Sequence, residues 1–262
     1  MNILLNGISG YMGREVVKLC DKGYRGARLV AGVDPCGFVN DRIRVYNNLD
    51  DVEDTDEIDC IIDFSHNSVT PALLDFAIAN RLSLVLCTTG HTEDEVEMIN
   101  KASNEIPLFY SGNMSLGIAL LVELAKTTAA ALPEAEIEII EKHHDRKIDA
   151  PSGTALMLAN AICEVRPELQ PNCGRSGQGK RSVDEIGIHS IRMGNIVGEH
   201  EVIIGTASQT ISLKHEAHDR ALFAEGAIAA AAFLVEKAPG MYDMKSMLSS
   251  TKTEDAVCTS KS

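Results

Sequence analysis

The sequence predicts an α/β protein built from an N-terminal Rossmann-type parallel sheet domain and a C-terminal mixed α/β sheet domain. Three observations predict it. Residues 1–114 alternate short apolar strands with helical stretches, the pattern of a doubly wound sheet. The first strand runs directly into glycines at 7, 10 and 13. A strand-like alternation, Glu136-Ile137-Glu138-Ile139-Ile140, then opens a second group of strands beyond a long apolar helix.

The elements follow in order. Ile3-Leu4-Leu5 is a short buried strand, and Arg14 to Cys20 has helical character. Between them lies Gly7-Ile8-Ser9-Gly10-Tyr11-Met12-Gly13, spaced G-x-x-G-x-x-G, with Ser9 near the usual second glycine. Strand, glycine turn and helix form the context of a dinucleotide site. Glycine lets backbone turn tightly against a pyrophosphate, and the helix N-terminus supplies N–H donors and a favourable dipole. A second strand, Arg28 to Val33, ends in Asp34, 21 residues beyond Gly13. A carboxylate there can bond the ribose of NAD and repels a 2′-phosphate. Pro35 follows it, which tilts the cofactor toward NADH; Arg42 and Arg44 nearby keep NADPH open.

Asn40 to Asp59 is polar and acidic and reads as a solvated surface. Cys60 to Phe64 is a strand, His66 stands in the loop after it, and Val69 to Asn80 is a helix. Ser83 to Cys87 is a strand leading to Thr88-Thr89-Gly90, Glu93 to Ala102 a helix, and Ile106 to Tyr110 a strand leading to Ser111-Gly112-Asn113-Met114. Gly7, Asp34, Thr88 and Asn113 all fall at strand C-termini, where ligands of such sheets bind. Cys87 reads as a buried strand thiol, with no positive neighbour to make it a nucleophile.

Ser115 to Leu132 is helical and apolar enough to predict burial between layers. The stretch 141–155, EKHHDRKIDAPSGTA, carries His143, His144, Arg146 and Lys147 between the 136–142 strand and a helix that Ser152 or Thr154 can cap. Cationic groups there suit an anionic substrate that needs a proton. Residues 166–187 are rich in Gly, Pro and polar residues and predict a mobile loop. Ile188 to Met193, Glu199 to Gly205 and Gln209 to His215 predict three antiparallel strands, with His189 and His200 structural. Ala221 to Lys237 is an alanine-rich helix whose Gly226 implies close packing. The expected domains are 1–114 with 216–248 returning to it, 115–215 for substrate and oligomerisation, and a frayed tail at 249–262.

Composition narrows the function. The chain has 262 residues, 45% hydrophobic, with a formal net charge of −14. Such acidity argues against nucleic acid, which wants a basic surface. Seven cysteines without a C-x-x-C pair argue against a disulfide scaffold or structural zinc. Adjacent His143 and His144 diverge and no H-x-x-x-H helix pair exists, so no metal is expected. No secretion signal and no membrane-length apolar run is seen, so a cytoplasmic location is expected.

Residues 1 to about 248 resemble the dihydrodipicolinate reductase family of lysine biosynthesis. Residues 141–155 match its signature E-x-H-H-x-x-K-x-D-A-P-S-G-T-A, and the glycine turn, Thr88-Thr89-Gly90, N-x-S-x-G at 113–117 and G-x-I-V-G-E-H at 194–200 also match. The resemblance implies reduction of 4-hydroxy-tetrahydrodipicolinate with NADH or NADPH, and a homotetramer. It implies Gly7, Ile8, Ser9, Gly10, Tyr11 and Met12 as the pyrophosphate loop and Asp34 as the ribose ligand. Cys87, Thr88 and Thr89 would line one side of the nicotinamide, with cysteine where the family usually has glycine. Ser111, Gly112, Asn113 and Met114 would close the other side. His143 and Lys147 would be catalytic in the proton step, and His144, Ser152, Gly153 and Thr154 would bind the small dicarboxylate substrate. Two other expectations are weighed beside it: a nicotinamide-dependent enzyme acting on a different amino-acid-like acid, and a nicotinamide sensor without turnover.

Overall fold

The structure, a computed structural model, describes residues 1–37, 40 and 42–250. The chain first forms β1 (Asn2–Asn6), α1 (Tyr11–Asp21), β2 (Arg28–Val33), β3 (Arg44–Tyr46), β4 (Cys60–Asp63), α2 (Thr70–Ala79), β5 (Ser83–Leu86), α3 (Glu93–Ala102) and β6 (Pro107–Tyr110). Next come α4 (Leu116–Ala131), β7 (Glu136–His143), α5 (Gly153–Val165), β8 (Gln170–Cys173), β9 (Glu185–Arg192), β10 (Gly198–Gly205) and β11 (Thr210–Ala217). It ends with α6 (Ala221–Leu234), β12 (Gly240–Tyr242) and a helix over 244–250. Contacts divide this into two units: Met1–Ser115 together with the chain from Ala221 onward, and Leu116–Arg220.

The first unit is built on a seven-stranded sheet in the order β12-β6-β5-β4-β1-β2-β3, parallel at every pairing. β4 and β5 are buried along their whole length, as expected of central parallel strands covered on both faces. Leu4, Ile61, Leu84 and Leu86 pack with Leu73, Leu74 and Ile99 of α2 and α3. α3 opens with a capping box, in which Thr92 accepts from the Glu95 amide and Glu95 accepts from the Thr92 amide. α6 packs on β4, β5, β6 and α1, burying Ala224, Ala227, Ala229, Ala230 and Ala231. A Cβ at Gly226 would stand 1.7 Å from the Met114 carbonyl oxygen, so only glycine allows that approach.

The second unit carries a five-stranded sheet ordered β11-β10-β7-β9-β8. It is mixed, in agreement with the predicted fold class, but its strands are arranged differently from the expectation. β9 runs parallel to β7 and β8, and only β10 is antiparallel to its neighbours β7 and β11. α4 and α5 pack on the face bearing Ile137, Ile139, Ile186, Ile188, Val202 and Ile204.

Four more sequence expectations need correction. α4 is not buried all round: Leu120 and Leu124 are exposed. The stretch 166–187 contains β8 and the start of β9, leaving 174–184 as the glycine-rich loop. Asn40 to Asp59 is not simply solvated surface, since β3 lies within it and Tyr46, Leu49 and Ile58 enter the core. Ser249 and Ser250, assigned to a frayed tail, lie in the last helix, while the tail from 251 lies outside the described residues.

Candidate active site

The glycine turn joins β1 to α1 and depends on its glycines. Gly7 has φ +81°, and a Cβ there would lie 2.6 Å from the Phe64 carbonyl oxygen. A Cβ at Gly13 would lie 2.2 Å from the Gly7 carbonyl oxygen, so α1 can seat on the turn only without one. Gly10 is the N-cap of α1. Ile8 is fully buried against Gly32 of β2, which leaves its backbone as the part able to meet a ligand. Tyr11 is exposed and Met12 half-buried at the helix start.

A cavity of about 630 Å³ opens on this turn, lined by Gly7, Ser9, Gly10, Asp34, Cys36, Asn47, Asn48, Asp50, Asp51 and His66 among others. Its volume suits a cofactor. The Asp34 carboxylate is anchored in its wall, with Oδ2 accepting from the Ser9 amide (3.0 Å) and hydroxyl (2.5 Å) and Oδ1 from the Cys36 amide (3.0 Å). Burial pushes its pKa up, but the bonds from Ser9 and Cys36 outweigh that and hold the carboxyl below its usual range. Among the described residues no lysine or arginine lines the cavity. Arg42 is paired with Asp21, and Arg44 with Glu53 while stacked on Tyr46.

Beyond Ser65 and His66 a second hollow of about 260 Å³ is lined by Asn67, Cys87, Thr88 and Thr89. Phe64, Ser65 and His66 line both spaces, so His66 belongs to the floor that joins them. Beneath lies Asp63, fully buried at the end of β4. It accepts from Asn6 Nδ2 (2.8 Å), Ser65 Oγ (2.6 Å) and Thr88 Oγ1 (2.5 Å), joining the ends of β1, β4 and β5. Burial raises its pKa against those bonds. The Cys87 thiol is buried, and burial followed by Asp63 pushes its pKa well up, so it is inert. Thr89 lies beside Gly112. Ser111 and Asn113 brace one another's loop, and the Asn113 side chain accepts from the Ser115 amide. The Met114 side chain is buried.

In the second unit β7 places Ile137, Ile139, Glu141 and His143 on one face, because alternate residues of a strand share a side. The first two join the core. The last two begin a polar end. Across the sheet, Ser190, Glu141, His200 and His215 stand in one row. In the next row Arg192 pairs with His143, and Gly198 leaves room for the ring, since a Cβ there would lie 3.1 Å from Nε2. His143 Nδ1 is 2.6 Å from Glu141 Oε2, and the His143 and His200 rings meet edge to face at 5.2 Å. His200 Nε2 is 3.2 Å from Ser152 Oγ. Burial, then the charge of His143, pushes the His200 pKa down to about 4.

The loop after β7 presents His144 and Lys147. The backbone of 143–145 is tied to 193–196 by Met193 N–H to His143 O, His144 N–H to Ile196 O and Asp145 N–H to Gly194 O. His144 Nε2 lies 3.2 Å from Arg220 Nη2. Partial burial, then Arg146 and Arg220, lowers its pKa. Lys147 Nζ is paired with Asp149 at 2.8 Å. Ser152 caps α5 by accepting from the Ala155 amide, so Gly153 and Thr154 form the first turn, at the positive end of the helix.

Family comparisons match both parts of this arrangement. The "Dihydrodipicolinate reductase, N-terminus" model matches residues 1–114 and "Dihydrodipicolinate reductase, C-terminus" matches 117–248. The chain belongs to the dihydrodipicolinate reductase family. A 4-hydroxy-tetrahydrodipicolinate reductase of Clostridium tetani is 43% identical over 252 residues, 95% of this chain and 98% of the relative. The enzyme of that name from Caldanaerobacter subterraneus is 42% identical over 250 residues, again 95% and 98%. Among solved structures, a dipicolinate-bound dihydrodipicolinate reductase from Paenisporosarcina sp. TG-14 is similar at TM-score 0.78 and 25% identity, covering 93% of this chain and 97% of that one. The chain is thus an oxidoreductase of the reductase fold.

Several residues of this reductase chain escaped the sequence reading. Asp63 looked like a strand residue, and its role as a hub appears only once β1, β4 and β5 are side by side. His200, expected to be structural, stands beside His143. Arg192 reaches Glu141 only through the β7–β9 register. Glu141 itself was within reach: the two-residue period of β7 puts it on the face of His143.

Proposed function

We propose that this chain reduces 4-hydroxy-tetrahydrodipicolinate to tetrahydrodipicolinate in lysine biosynthesis, with NADH as the favoured reductant. The observation that carries this is the polar end of β7, where His143, His144 and Lys147 follow a family signature, in a chain that matches family members over nearly its full length. Loss of the 4-hydroxyl as water leaves a conjugated C=C–C=N ring. When bound, the reduced nicotinamide supplies hydride to that ring. The negative charge left behind is quenched by one proton. His143 and Lys147 share the proton and charge-stabilising roles, since imidazole titrates near neutral pH and an ammonium stays cationic. His144, Ser152 and the Gly153 and Thr154 amides hold the ring carboxylates.

Gly7 to Met12 carry the pyrophosphate, Asp34 the ribose, and the Cys87–Thr89 and Ser111–Met114 loops the nicotinamide. A cavity bearing Asp34, Asp50 and Asp51 and, among the described residues, no basic side chain but His66 supports NADH over a cofactor with an extra phosphate. The expected assembly is a homotetramer. The face of the second sheet opposite α4 and α5 supports it, because Ile140, Ile191 and Ile203 stand there among charged residues, with no helix of that unit covering them among the described residues. Among the described residues no helix is long and apolar enough to cross a membrane, consistent with the proposed cytoplasmic location.

The test is consumption of NADH by the full chain supplied with freshly generated substrate, set beside NADPH and beside aspartate and homoserine pathway acids. Turnover confined to the dihydrodipicolinate precursor is expected. Cofactor binding without consumption, or turnover of another acid alone, overturns the proposal.

A further inference from the structure

The proton step needs an imidazole whose reactive nitrogen is fixed before substrate arrives. A carboxylate accepts hydrogen bonds and cannot donate them, so the 2.6 Å contact between Glu141 Oε2 and His143 Nδ1 requires a hydrogen on Nδ1. Nε2 is then the nitrogen left over, beside the space kept open at Gly198. Glu141 is itself held rigidly. It is fully buried, and Arg192 grips it with both terminal nitrogens, Nη1 to Oε2 at 2.8 Å and Nη2 to Oε1 at 2.6 Å. The Ser152 amide donates to Oε1 at 3.0 Å, and Arg192 is braced in turn by the Asp149 carbonyl.

Other charged groups surround this pair. His200 faces it from β10, with His215 next to it on β11, and the Lys147–Asp149 pair stands on the loop. Burial keeps His200 neutral at working pH, so it adds no second cation beside His143.

We propose that Glu141, clamped by Arg192 and the Ser152 amide, is the positioning residue that keeps the hydrogen on His143 Nδ1 and presents Nε2 to the substrate. This rests on the proposed proton role of His143. A buried ion pair that only ties β7 to β9 would alter stability alone; a positioning carboxylate also sets which ring nitrogen carries the hydrogen.

The experiment is kcat and KM for Glu141→Gln, Glu141→Asp and His143→Gln in the full chain, beside nitrogen-15 spectra of the His143 ring. For Glu141→Gln, kcat is expected to fall roughly 10- to 100-fold, as for other residues that orient a working histidine. The KM for the dicarboxylate should change less than about threefold. In Glu141→Gln the neutral His143 ring should populate both tautomers, and Glu141→Asp should restore part of the Nδ1–H form and part of kcat. A rate loss in Glu141→Gln with the His143 tautomer unmoved overturns the inference. Nitrogen-15 spectra of the unaltered protein give a second arm: neutral His143 should carry its hydrogen on Nδ1, and finding it on Nε2 overturns the inference even if Glu141→Gln does not fold. If His143→Gln keeps near-normal kcat, the role of His143 is wrong; if kcat collapses there yet the His143 tautomer is unmoved in Glu141→Gln, only the role of Glu141 is wrong.

Discussion

Thr88 donates its hydroxyl to the buried carboxyl of Asp63 at 2.5 Å, so the threonine nearest the sheet is tied down into it rather than left to the solvent. The same carboxyl takes Asn6 and Ser65. Asp63→Ala would strand three side-chain donors at the end of the central strands. We expect a loss of about 3 kcal/mol in unfolding free energy, read from the urea midpoint, with a weaker NADH affinity. Asp63→Asn keeps an acceptor and most of the shape, and should cost much less. Equal stability for Asp63→Ala and the unaltered chain would show that the hub is decorative.

The glycines of the first turn should not behave alike. Gly13→Ala forces a methyl to 2.2 Å from a backbone oxygen, whereas at Gly10 the nearest atom would be 3.3 Å away. Gly13→Ala is expected to raise the NADH dissociation constant about tenfold or more, worth ~1.4 kcal/mol, by prying α1 from the turn. Gly10→Ala should be far milder. Fluorescence titration of bound NADH measures both.

Cofactor choice should follow the charge of the cavity. The ratio of kcat/KM for NADH over NADPH is expected to exceed about ten, since Asp34, the proposed ribose ligand, would repel the 2′-phosphate. Asp34→Ser should shrink that ratio mainly by improving NADPH. A chain that prefers NADPH before any substitution would contradict the cavity argument.

Lys147→Ala is expected to lower kcat roughly 10²- to 10⁴-fold, the usual span for a group active in proton transfer. Its pair with Asp149 is partly exposed and should contribute little to stability. Thermal melting therefore should barely move. Near-normal turnover of the variant would remove Lys147 from the proton step.

His200 gives the protein a stability that depends on pH. Its folded pKa is about 4 against an ordinary 6.5, so between these values the unfolded chain takes up a proton that the folded chain refuses. Stability is lost as pH falls from 6.5 toward 4, by about 3 kcal/mol from this group when the window is fully crossed. The urea midpoint at pH 7 and pH 5 should differ less in His200→Gln than in the unaltered chain. An identical difference in both would assign the acid sensitivity to another group.

The sequence was readable wherever one local rule decided the outcome. Gly7 and Gly13 announce a tight turn because nothing else fits there, and the buried run Cys60–Asp63 announces a central parallel strand. The mixed sheet was read as a class but not as an order. Period and length identify β9, β10 and β11 as strands, yet nothing local says that β9 crosses to the far side of β7. The same blindness hid Arg192, whose partner is 51 residues away along the chain. Asn40 to Asp59 misled through composition: its aspartates dominate the count, while single apolar residues such as Tyr46 and Leu49 do the anchoring.

β12 is only three residues long, but it is the strand that flanks β6. On the ribosome, β6 emerges more than a hundred residues before the strand that will cover its edge. Through that interval the nascent nucleotide-binding half presents an open β-edge, an invitation to stray pairing. A nonsense mutation just ahead of Gly240 would make the exposure permanent. Such a shortened product would still carry every proposed catalytic group, and it would be lost to aggregation rather than to faulty chemistry.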